Sequence, residues 1–123
     1  MHTYKKGFRA EHELMKLLSS LDFAVLRAPK SGKDSIDIIA CKLGHIFVFE
    51  CKSWASTVRI SKRQMKSLIN FAEKAGAIPL IAMKKEQQGW KFLKASEVTE
   101  NNGVASEKLI EEKGFGIEFF NSF

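Results

Sequence analysis

From about Lys5 to Leu21 the apolar residues Phe8, Ala10, Leu14, Met15, Leu17, Leu18 and Leu21 return at helical spacing, which predicts an amphipathic helix. Residues 23–28 predict a short strand, and Pro29 to Ser35 a polar loop carrying Gly32 and two lysines. Two β-rich runs, Ile36 to Cys41 and Ile46 to Ser53, flank Lys42-Leu43-Gly44-His45, which predicts a tight hairpin. Ser61 with Gln64 three residues on is a capping-box pattern ahead of the stripe Met65, Leu68, Ile69 and Ala72, with Gly76 as a natural stop. Ala77 to Lys84 and Trp90 to Lys94 predict two further strands, Pro79 being best tolerated at a strand start or edge. Ser106 to Lys113, closed by Gly114, predicts a short helix, and the apolar tail 115–123 stays unassigned. The order α-β-β-β-α-β-β predicts one α/β domain over residues 1–123, with a mixed central sheet flanked by helices.

An antiparallel hairpin turning on Leu43-Gly44 pairs Lys42 with His45, and carried back along both strands it sets Asp37 opposite Glu50. Lys52 then shares their face, while Ile36, Ile38, Phe47 and Phe49 point to the other. Two carboxylates so placed repel by about 3 kcal/mol at an effective dielectric near 20, so something must offset them. A divalent cation does so, because Mg²⁺ and Mn²⁺ prefer carboxylate oxygens and keep positions open for water and a phosphate. The bland alternative is an acid solvated at a strand end and paired with Lys52, but acids inside mostly apolar strands call for a reason. A β-bulge would shift this register by one residue and change the partner of Asp37.

The first helix carries a second anomaly. Its apolar arc has Glu11 near the middle and Glu13 at the edge. Glu13 reads as a surface acid, whereas Glu11 must be neutralised, paired or metal-bound, and so joins the candidate site.

Lys plus Arg number 20 against 14 Asp plus Glu, and a net charge of +6 on 123 residues favours an anionic partner. Lys5, Lys6, Arg9, Lys30, Lys33, Lys62, Arg63 and Lys66 gather in the helix start, the loop before Asp37 and the start of the second helix, where they can track phosphates. A solvated charged face explains any one of them alone. Cys41 and Cys51 fall on opposite faces of the sheet, which excludes a disulfide between them. No apolar run approaches the roughly 20 residues of a membrane span, so a soluble, cytoplasmic protein without a membrane or small-molecule partner is expected. Phe71 projects off the stripe of its helix, toward a twofold dimer partner or under the C-terminal tail.

Asp37 with Glu50-x-Lys52 resembles the signature of the PD-(D/E)xK nuclease superfamily, whose fold is restriction-endonuclease-like. The wider pattern resembles archaeal Holliday-junction resolvases through Lys6-Gly7-Phe8-Arg9-Ala10-Glu11-His12-Glu13-Leu14, Phe23-Ala24-Val25-Leu26-Arg27, Asp37-Ile38-Ile39-Ala40, Lys62-Arg63-Gln64-Met65, Gly76-Ala77-Ile78-Pro79 and Gly89-Trp90-x-Phe92. The resemblance implies a Mg²⁺-dependent homodimer that makes paired nicks in four-way DNA junctions. By the same resemblance Glu11, Asp37 and Glu50 would bind metal, Lys52 would orient or activate the attacking water, and Arg27 would hold a phosphate. Ser31 matches a loop serine implicated in catalysis, with Ser35 competing for that match, and His12 stands where an arginine is common. Active-site acids do not encode substrate shape, so a nuclease acting on duplex, flap or a specific sequence competes with this reading, as does a non-catalytic nucleic-acid binding module.

Overall fold

The computed structural model describes residues 2–28, 36–53, 57–85 and 88–123, with side chains from Arg9 onward. Helix α1 (His2–Ser20) leads into β1 (Ala24–Arg27), β2 (Ile38–Lys42) and β3 (His45–Ser53); β4 (Val58–Arg59) and α2 (Lys62–Ala75) follow. The chain continues through β5 (Ile78–Lys85), β6 (Gly89–Lys94), α3 (Ala95–Glu100), β7 (Val104–Ala105), α4 (Glu107–Lys113) and a 3₁₀ turn, Ile117–Ser122. A five-stranded sheet runs in the order β1-β2-β3-β5-β6, and β4 pairs with β7 in a small separate ladder. All neighbours in the large sheet are antiparallel except β3 and β5, which are parallel and joined through α2. The expected mixed α/β sheet between helices is the observed one. No described helix is long and apolar enough to cross a membrane.

Local chemistry explains the boundaries. Leu43 and Gly44 both take positive φ, 48° and 88°, as a two-residue hairpin turn requires. Ser61 and Gln64 form the full capping box of α2, and Gly76 ends it at φ 66° in the left-handed region. Pro79 sits in a central strand, yet the β6 ladder begins only at Leu80, so Pro79 has a partner strand on one side alone.

Each face of the sheet carries a core. Leu14 and Leu18 of α1 pack over Ile38, Ala40, Phe47, Phe49, Leu80, Ala82 and Phe92 on one face. Met65, Leu68 and Ala72 of α2 cover Val48, Ile81 and Met83 on the other. Cys41 and Cys51 are free thiols, as expected. The tail left open by the sequence pattern belongs to the α1-side core. Phe120 is fully buried, its ring 5.1 Å from that of Phe92 and 5.3 Å from that of Phe47, and Lys42 Nζ donates to Phe123 O at 2.6 Å. Phe120→Ala is therefore expected to cost about 3–5 kcal/mol, the range for a buried Phe truncation. Urea denaturation measures it, and a loss under about 1 kcal/mol would mean that the tail only rests on the surface.

Candidate active site

The β2–β3 ladder follows the register expected from the hairpin, Lys42 with His45 through to Ile38 with Phe49, and then breaks. The Asp37 N–H donates to Phe49 O at 2.8 Å, so Asp37 and Ile38 both stand against Phe49, the two-against-one count of a β-bulge. This corrects the expected direct pairing of Asp37 with Glu50. It also corrects Ile36, which packs into the α2-side core instead of sharing a face with Ile38. Past the bulge the Asp37 carboxylate lies in line with the sheet, and its Oδ2 accepts the Cys51 N–H at 2.7 Å. The Asp37 carbonyl in turn accepts from the Ala28 N–H at 2.9 Å, so both neighbouring strands hold this residue.

The bulge leaves the acids close enough that the charge of Asp37 acts on the Glu50 carboxyl. Glu50 and Lys52 alternate with Phe49 and Cys51 along β3 and point toward α2. Lys52 Nζ lies 3.3 Å from Glu50 Oε2 and 3.4 Å from Gln64 Oε1. Among the described residues the buried charged side chains are Glu11, Asp37 and Glu50, all three singled out by the sequence pattern. Burial first, and the Asp37 carboxylate second, raise the Glu50 carboxyl from 4.5 to about 8, against the opposing pull of Lys52.

Glu11 is engaged by a guanidinium. Arg27 faces Ile38 across the β1–β2 ladder, on the α1 side of the sheet, and its Nε donates to Glu11 Oε1 at 2.9 Å. Of the three fates open to a buried glutamate, pairing is the one observed. Among the described residues no three carboxylate, imidazole or thiol groups lie close enough to share one ion, and of the three expected acids Asp37 and Glu50 are the pair that interact directly. These two fit a cation. Glu50 Oε1 is buried and has no hydrogen-bond partner among the described residues, and an oxygen of that kind is costly unless something binds it. A hard divalent ion satisfies this pair of carboxylates.

Arg9, Lys62, Arg63 and Lys66 are exposed, and Arg27 is partly so. Lys62 and Lys66 border a groove of about 540 Å³ along α2, floored by Met65 and Ile69. The side chains of Lys5 and Lys6, and Lys30, Ser31, Lys33 and Ser35 entirely, lie outside the described residues. Phe71 is 41% exposed on α2 and is not covered by the tail, which packs on the opposite face. The contacts of two residues were missed. Gln64 was read only as a cap, yet its side-chain oxygen also reaches Lys52. Glu13 is exposed as expected, yet it accepts from Trp90 Nε1 at 3.2 Å and pairs with Lys84 Nζ at 2.9 Å, contacts across the sheet that no local pattern encodes.

A family model described as archaeal Holliday junction resolvase (Hjc) matches residues 2–121. The crossover junction endodeoxyribonuclease Hjc of Methanocaldococcus jannaschii is 39% identical over 84 residues, which cover 68% of this chain and 62% of that protein, less than two thirds of its length. The protein of the same name from Sulfurisphaera tokodaii is 32% identical over 121 residues, 92% of this chain and 83% of that one. The structure of Archaeoglobus fulgidus Hjc, a Holliday junction resolvase, superposes with a TM-score of 0.84 at 23% identity over 95% of this chain and 96% of that one, which shows a common fold.

The raised Glu50 carboxyl has a measurable consequence. Between 4.5 and about 8 the folded chain holds a proton that the unfolded chain has released. The stability this group contributes is therefore full below the lower value and is lost as pH rises through the upper one. In chelator, the wild type should lose stability relative to Glu50→Gln from about pH 5 to about pH 8, after which the difference levels off. Denaturant titrations of both proteins across that range measure it, and parallel pH profiles would show Glu50 already ionised in the fold.

Proposed function

The chain belongs to the family of archaeal Holliday junction resolvases, and on that premise we propose that it is a structure-specific endonuclease. In this reading a homodimer makes paired nicks in four-way DNA junctions, with Mg²⁺ as the metal and Mn²⁺ able to replace it. The observation that carries the catalytic part is the buried Asp37–Glu50 pair, with one Glu50 oxygen lacking a partner among the described residues and Lys52 alongside.

Asp37 and Glu50 would hold the ion, Asp37 being fixed for that task by the Cys51 N–H. When bound, a divalent cation supplies Lewis-acid polarisation of the phosphate and lowers the pKa of the attacking water. Lys52 places an ammonium beside the acids, where it orients the water and offsets charge on the phosphate. Arg27, oriented by Glu11, would hold a phosphate near the same strand ends, as the family resemblance implies. Arg9, Lys62, Arg63 and Lys66, with Lys5, Lys6, Lys30 and Lys33, would follow the DNA backbone. Ser31 keeps the catalytic role that the family resemblance implies.

A dimer is supported by an uncovered apolar area. Helix α2 packs over β3 and β5, while β1 lies at the far edge of the sheet with Leu26 71% exposed. Phe71 follows Gln64 by seven residues and so shares its side of α2. Phe71→Asp is expected to yield monomers at concentrations where the wild type is dimeric, with the two nicks uncoupled. Analytical ultracentrifugation and nick counting on a cruciform plasmid read this; a variant that stayed dimeric would remove the assignment.

The catalytic reading is tested with a labelled four-way junction, a linear duplex and a flap, each with Mg²⁺ or chelator. Asp37→Asn should slow junction cleavage by at least about a hundredfold while leaving junction binding largely intact. Binding without cutting by the wild type would support a non-catalytic module. Equal cutting of all three substrates would support a nuclease without junction specificity.

A further inference from the structure

We propose that Gln64 is a positioning residue for Lys52, holding the ammonium in place through the same side-chain oxygen that caps α2. The inference rests on the catalytic role given to Lys52 above. Gln64 Oε1 is the shared acceptor of Lys52 Nζ, the Ser61 N–H and the Ser61 hydroxyl, each at 3.4 Å, while the Gln64 N–H donates back to Ser61 Oγ at 3.1 Å. The capping box thus fixes the oxygen, and Met65, Leu68 and Ala72 fix the helix that carries it against the sheet face bearing Lys52.

The chemistry of the amide suits this task. A lysine is a compact charge on a flexible stem with three rotatable donors, and one acceptor leaves it free to swing. Glu50 Oε2 and Gln64 Oε1 hold it from β3 and from α2, so the ammonium is referenced to both elements. Glu50 is an acid that other groups compete for, whereas the amide oxygen is neutral. It orients Lys52 without cancelling the positive charge that a phosphate needs. Positions that only orient a reacting group can still cost substantial rate, because small displacements at the reacting centre are amplified in the barrier.

Ser61 separates this role from capping, since Ser61→Ala removes the cap hydroxyl and leaves the Lys52 contact. Single-turnover cleavage of a four-way junction by the full chain with Mg²⁺ should fall about tenfold in Gln64→Ala at unchanged junction affinity, and by less than about twofold in Ser61→Ala. Added to Lys52→Ala, Gln64→Ala should change the residual rate no further, as coupled residues require. Equal rates in Gln64→Ala and Ser61→Ala, or an independent tenfold loss on top of Lys52→Ala, would overturn the positioning role while leaving the nuclease reading intact. Wild-type cleavage by Lys52→Ala would overturn both.

Discussion

The structure turns on the hydrogen bond from the Cys51 N–H to Asp37 Oδ2, 2.7 Å long, at the point where β2 parts from β3. A strand leaving a sheet strands the amides of its former partner, and a buried unpaired N–H is costly. Here a carboxylate takes the place of the missing strand carbonyl. The consequence reaches beyond local satisfaction: an acid that terminates the ladder is held rigidly at the sheet end, beside a second acid that ordinary strand alternation brings to the same spot.

The energetics of that spot favour function over stability. Glu50 loses hydration and faces Asp37, so its carboxyl holds a proton to about pH 8. Lys52 relieves part of the repulsion by engaging Oε2, and among the described residues Oε1 has no partner. A chain selected for stability alone would replace such a cluster with apolar side chains, since buried ionic groups rarely repay their desolvation. Glu11 behaves differently. Its charge is matched by Arg27 at 2.9 Å, so this acid supports a guanidinium.

Much of this was legible in the sequence because it is written in short-range periodicity. The hairpin register from Lys42 to Ile38, the capping box at Ser61, the stop at Gly76 and the burial of Glu11 all follow from turn chemistry or from residues within a few positions of one another. Two kinds of feature were not legible. Strand alternation assumes an unbroken ladder, so the bulge that moved Ile36 to the α2 side had to be seen. Contacts between distant elements, such as Glu11 with Arg27, Gln64 with Lys52 and Glu13 with Trp90, depend on how helices lie across the sheet. The tail escaped for the same reason, since the aromatic rings that Phe120 joins come from strands far back in the chain.

One element connects these parts. Helix α2 turns Met65, Leu68 and Ala72 to the core, Gln64 to Lys52, Phe71 to solvent and Lys62 and Lys66 to the rim of a groove. A helix packed on the core and bonded to Lys52 has little freedom to shift, so a force on its exposed residues is transmitted to Lys52. For an enzyme that recognises the shape of a branched DNA while its carboxylates read only a phosphate, that rigidity is the physical route by which a bound arm, or the second copy of the proposed dimer, would influence the chemistry. In that proposal substrate choice would reside in how the two copies of α2 are spaced, while the acids at the sheet end stay generic.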